Sequence, residues 1–176
     1  KGYVYYFFDP LITACSDDGW SSEEVQGTAI QGAYSGNASA SGHPIRDMHD
    51  GHGSSNNAYW SRYWQQIRLC NQFLENIDNA AVHSETERAR FKAEAHVLRA
   101  YFYSELIKWF GKLPIVDKTI EFDADFSTLR REKVYDVVKF IASDCEAAIS
   151  CNELPWRITT DDEAMRATKA LAWAVV

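Results

Sequence analysis

Phe91, Ala95, Leu98, Phe102, Leu106 and Trp109 follow one another at steps of four, three, four, four and three residues. That spacing is the apolar stripe of an amphipathic α-helix, and it predicts one from about Glu85 to Phe110. Gly111 then supplies a residue that tolerates a left-handed C-terminal cap, and Pro114 prevents the helix from resuming. A chain built around such an element must find apolar partners for it.

Three more helical patterns surround the first. Trp60, Trp64, Ile67, Asn71, Leu74 and Ile77 alternate in the same way, with Asn56 or Asn57 as a side-chain cap. A third helix is expected from about Arg131 to Ile149, with Val134, Val138, Ile141, Cys145 and Ala148 on one face and Val137 beside it. A fourth is expected to begin near Thr160, before the acidic run Asp161, Asp162 and Glu163, and to be running still at Val176. Residues 1–56 lack clear periodicity. From Asp17 to Asn57 they are rich in Gly, Ser, Asn, Asp and His, which argues for irregular structure. The expectation is an all-α scaffold over 57–176, solenoid-like and preceded by an irregular region at 1–56. The unfinished apolar helix predicts a fragment whose single domain continues beyond 176.

Composition removes several classes of function. The 176 residues carry a net charge of −7 with no Lys/Arg block, so binding to nucleic acid through phosphate neutralisation is disfavoured. No window is apolar for long enough to span a bilayer as a helix. Cys15, Cys70, Cys145 and Cys151 form no zinc-like couple and read as plain thiols, although Cys145 and Cys151 are close enough in sequence to meet across a helix end. Leu11 to Cys15 looks like a lipoprotein cleavage box, but Asp9 and Pro10 interrupt the apolar run before it. Cys15 therefore reads as internal.

The details of these helices resemble those of the SusD/RagB family of outer-membrane nutrient-binding lipoproteins. In the second helix the resemblance lies in Glu94, Ala95, Leu98, Arg99, Ala100, Tyr101, Tyr103, Leu106, Phe110, Gly111 and Pro114. In the first it lies in Trp60, Trp64, Ile67, Asn71, Leu74 and Ile77, with Trp64 where a tyrosine is usual. Val134-Tyr135, Ile141, Asp144, Ala148 and Leu154-Pro155 look like the third landmark, with Cys145 in place of the common leucine. Arg166, Thr168, Lys169, Ala172 and Ala174 resemble the entry into the next helix. Ser16-Asp17 sits at the family's usual distance before Trp60.

The resemblance implies a tetratricopeptide-like helical scaffold carrying long irregular loops. It also implies a non-catalytic, surface-exposed outer-membrane protein that captures glycans, or in some members peptides. The ligand would pass to a SusC-like TonB-dependent transporter. Membrane association would come through an amino-terminal lipid anchor absent from this chain. No cofactor is expected. A helical-repeat adaptor that binds only protein or peptide partners is the alternative.

Candidate ligand-binding residues come from the polar region. Trp20 lies among Asp, Gly, Ser and Glu, surroundings that suit either a sugar platform or a plug closing a loop onto the scaffold. Arg46, Asp47 and His49 belong to the dense segment from His43 to His52. Arg46 and Asp47 suit hydrogen bonding to sugar hydroxyls, although bonding within the protein's own loop is the commoner use of either residue. His49, Asp50 and His52 match no familiar zinc spacing, so no metal is expected. Trp60, Trp64 and Trp109 lie on helix stripes and read as core, where each contributes about 2 to 3 kcal/mol. Trp173 is expected to pack against a following element. Arg99 is expected to tie helices together, near Glu94 and the acidic residues of the third helix. Carboxylates are plentiful, but they fall at loops and helix starts, and no nucleophile elbow or phosphate-cradling loop is present.

Overall fold

The computed structural model describes residues 59–121 and 123–176. The chain divides into the units Lys1–Arg62 and Tyr63–Val176. Among the described residues there are four α-helices: α1 (Tyr59–Asn76), α2 (Glu85–Phe110), α3 (Val134–Ser150) and α4 (Lys169–Val175). Short 3-10 turns occupy Ile77–Asn79, Phe126–Thr128 and Asp161–Glu163, and no described residue is in a strand. No described helix is long and apolar enough to cross a membrane.

α2 begins where its sequence says it should. Ser84 accepts a hydrogen bond from the Glu87 N–H at 3.1 Å, and Glu87 reaches back to accept from the His83 N–H at 3.1 Å. This reciprocal arrangement satisfies two donors at the helix entrance. At the other end the Gly111 N–H bonds to the Ile107 carbonyl, with φ 65° and ψ −108°. The φ is positive as expected, but that ψ lies outside the left-handed helical basin, in a region open essentially to glycine. A Cβ at Gly111 would meet nothing within 4 Å, so the requirement is conformational and not a matter of space.

The burial of α2 is wider than its stripe. Ala93, Ala95, Val97, Arg99, Ala100, Phe102, Tyr103 and Leu106 are all buried, while Phe91, Leu98 and Trp109 are only half-covered. α2 is therefore the central element, sheathed on several sides. Tyr103 shows how: its ring meets Trp64 of α1 edge-on at 5.6 Å and Phe140 of α3 at 5.1 Å. Tyr63 and Phe102 add a second α1–α2 contact at 5.7 Å.

One helix start and one buried face differ from the sequence reading. The fourth helix starts at Lys169, with the Thr168 hydroxyl capping the Leu171 N–H at 3.3 Å. Thr160 instead introduces only the single turn Asp161–Glu163, and its side chain makes no cap. After that turn Met165 takes φ 70°, which a helix cannot continue through. On α3 the buried positions are Val137, Ile141, Asp144, Cys145 and Ala148, whereas Val134 and Val138 are 44% and 47% exposed. The inward face is thus centred on Val137. Trp173 is 59% exposed. The expected cap at Asn56 or Asn57 lies outside the described residues.

Candidate functional site

The sequence candidates Trp20, Arg46, Asp47 and His49 lie outside the described residues, as do Asp50, His52 and Cys15. Among the described residues, three of the four buried polar or charged residues, Asn71, Arg99 and Asp144, belong to one network.

Arg99 of α2 forms a two-pronged ion pair with Asp144 of α3: Nε to Oδ2 and Nη2 to Oδ1 are both 2.7 Å. His96 Nδ1 lies 2.7 Å from the same Oδ1. The guanidinium also sits 5.1 Å from the centre of the Phe140 ring. Burial opposes the charged form of both partners. For Asp144, the hydrogen bonds from Arg99 and His96 outweigh that opposition and hold the carboxyl below the usual carboxylate range. For Arg99, the bond to Asp144 does the same in the other direction and raises its already high value. The expected role of Arg99 as a tie between helices is met by Asp144. Glu94 pairs elsewhere.

The third arm of Arg99 points toward α1. Its Nη1 donates to Asn71 Oδ1 at 2.8 Å and to the Asp117 carbonyl at 3.2 Å. Asn71 is fully buried, and its Nδ2 donates to the carbonyls of Val116 and Lys118 at 3.0 and 3.1 Å. A polar residue in the middle of an apolar stripe is thereby accounted for: it joins the ion pair to the segment after α2. That segment is held at further points. The Val116 N–H donates to the Tyr103 hydroxyl at 2.8 Å, and the Thr119 N–H to Glu75 at 2.7 Å. Arg68 donates to the Ile120 carbonyl, and the Glu132 N–H returns to the Leu113 carbonyl at 2.8 Å. Residues 113–120 are consequently an extended strap, several of whose backbone groups bond to side chains of α1 and α2.

A second network closes the opposite end of α2. Arg90 contacts Glu94 at 3.1 Å and Glu163 at 2.7 Å, and Arg166 contacts Glu94 at 2.9 Å and Glu163 at 3.2 Å. The Arg166 guanidinium also covers the Phe91 ring at 5.2 Å. The alternating square of charges fastens the Asp161–Glu163 turn to α2. It lowers the Glu163 carboxyl through the Arg90 hydrogen bond and raises Arg90 through the same bond.

Neither network has the composition of a reaction centre. No group of three or more His, Cys, Asp or Glu that could hold a metal ion occurs among the described residues. Cys70, Cys145 and Cys151 are free thiols, so Cys145 and Cys151 do not join across the end of α3. Burial pushes the Cys70 thiol up to about 12 and the Cys145 thiol to about 11, which suppresses the thiolate needed for nucleophilic work.

One residue with the chemistry of a ligand platform escaped the sequence reading. Trp156 follows Pro155 in the connection from α3 to α4 and is 59% exposed. The available signal was a tryptophan outside any helical stripe, directly after the Leu154-Pro155 landmark and before Arg157.

Residues 13–176 match the SusD-like_3 family, described as starch-binding associating with outer membrane. The chain belongs to this SusD-like family. Among solved structures, a SusD-like protein from Bacteroides fragilis is 32% identical over 66% of this chain and 22% of its own length, with a TM-score of 0.59. A laminarin-binding SusD-like protein is 26% identical over 87% of this chain and 30% of its own, with a TM-score of 0.64. A SusD-like carbohydrate-binding protein from B. fragilis is 26% identical over 79% and 27%, with a TM-score of 0.62. The chain thus spans from 22% to 30% of the length of these structures. No curated protein matches it.

Proposed function

We propose that the protein to which this chain belongs is a non-catalytic glycan-binding protein of the outer-membrane surface. It captures oligosaccharides or polysaccharides and delivers them to a SusC-like TonB-dependent transporter. The observation that carries this reading is the match of residues 13–176 to a family described as starch-binding and outer-membrane associated. The names of two relatives, one binding laminarin and one carbohydrate, favour a glycan over a peptide.

The described geometry suits the role. A binding protein must hold its contact residues without spending ligand affinity on ordering them. The Arg99–Asp144 pair, Asn71 and Tyr103 fix the strap and the helices to one another, giving a stiff frame for loops. Trp20, Arg46, Asp47 and His49 are assigned as ligand contacts on their chemistry: an aromatic platform with hydrogen-bonding groups beside it. An amino-terminal lipid anchor would hold the protein at the membrane.

The test is binding of the full-length protein to a panel of neutral and acidic polysaccharides and of peptides, by affinity electrophoresis and calorimetry. Retardation by at least one glycan, weakened by Trp20→Ala or Arg46→Ala, is expected. Binding to peptides alone, or to nothing, contradicts the proposal, and release of shortened sugars would mark an enzyme.

A further inference from the structure

Four polar or charged residues are buried among the described residues: Asn71, Arg99, Asp144 and Lys169. The first three satisfy one another. Lys169, 9% exposed, differs: among the described residues its ammonium has neither an ion-pair nor a hydrogen-bond partner. Its nearest recorded company is the Trp156 ring, whose centre lies 6.0 Å from Nζ.

The stem of the side chain is packed while Nζ keeps contact with solvent. An ammonium with no protein counterion is open to an anion from solution, with which it would form a charge-assisted hydrogen bond. The aromatic ring beside it is held in step with it. The Lys169 N–H donates to the Pro155 carbonyl at 2.9 Å, so the residue preceding Trp156 is bonded to the lysine's own backbone. Thr168 and Leu154 fix the two flanks, one by capping α4 and the other by full burial. An exposed indole face and an unneutralised cation therefore sit as one preformed pair.

We propose that Trp156 and Lys169 form a subsite for an acidic sugar residue. The apolar face of the pyranose would stack on the indole, and its carboxylate or sulfate would take the ammonium as counterion. A neutral sugar could occupy the ring but would leave the charge uncompensated. The inference rests on the glycan-binding reading above and narrows it to a ligand class.

The experiment uses the full-length protein with three probes: a galacturonate oligomer, a sulfated galactan oligomer and a neutral glucose oligomer. Each is titrated against the parent protein, Trp156→Ala and Lys169→Met at low and high salt. The expected result is binding of at least one acidic probe, weakened about tenfold or more by either substitution and by salt, in keeping with loss of a charge-assisted contact. The galacturonate and sulfate arms tell carboxylate from sulfate recognition. Should Lys169→Met fail to fold by circular dichroism, Trp156→Ala, at an exposed position, and the salt series decide. Acidic binding that both variants retain, or binding of the neutral probe alone, overturns this subsite and leaves glycan binding standing. Absence of binding to all three probes and to the wider polysaccharide panel overturns both.

Discussion

Arg99 and Asp144, on different helices and 45 residues apart, meet through two N···O contacts of 2.7 Å in the buried centre of the fold. Their pairing fixes α2 against α3, and the remaining arm of Arg99 passes the constraint to Asn71 and the strap. Removing one member strands a buried charge. Asp144→Asn is expected to destabilise the protein by about 3 kcal/mol or more, measured by urea denaturation. Replacing both Arg99 and Asp144 with apolar residues of similar volume should recover part of that loss. A single substitution without effect would contradict the role assigned to the pair.

The same carboxyl makes stability depend on acid. Its folded-state value lies below its unfolded one, so in the interval between them the unfolded chain binds more protons. The stability Asp144 contributes is complete above roughly pH 3.9. It drains away as pH falls through the lower folded-state value. Asp144→Asn should flatten this acid limb, as seen in the thermal midpoint measured from pH 6 downward.

Tyr103 offers a test of the strap. Its hydroxyl accepts the Val116 N–H, and Tyr103→Phe leaves that donor without its partner. A cost of about 1 to 3 kcal/mol is expected. Hydrogen exchange at the Val116 amide should accelerate well beyond exchange at α2 amides near Ala95. Equal acceleration across α2 would mean the helix itself had loosened.

Met165 adopts φ 70° with 87% of its surface exposed, so little packing compensates its backbone. Met165→Gly should be neutral to stabilising, whereas a β-branched valine should cost about 1 kcal/mol or more. Differential scanning calorimetry of the two variants gives the sign directly.

Thiol chemistry should follow burial. Cys70 and Cys145, pushed up to about 12 and about 11, are expected to resist alkylation in the native protein at pH 8 and to react on unfolding. Peptide-resolved mass spectrometry after brief labelling checks this. Prompt native labelling of either would contradict the buried placement.

Residues 85–110 are legible because the periodicity, the closing glycine and the proline after it all point to the same helix. Arg99 is expected from the sequence to tie helices together, and it does so through Asp144 and not through Glu94. Asn71 was read as one more stripe position. Its purpose depends on carbonyls at Val116 and Lys118, which periodicity cannot register. The α4 boundary was missed because an acidic run after a threonine suits a 3-10 turn as well as a helix start. On α3, valines at 134, 137 and 138 are equivalent in hydropathy, and only the partner surface selects Val137. Trp156 went unnoticed because its environment comes from Lys169, thirteen residues on across a turn and a strained methionine.

The central claim is capture at the outer membrane and handover to a transporter. Co-purification of the full-length native protein from detergent-solubilised outer membrane tests it most directly. Recovery with a large β-barrel transporter of the SusC type is the predicted result. Recovery alone, or only with soluble partners, would contradict the account and leave a helical scaffold whose partner is a protein of another kind.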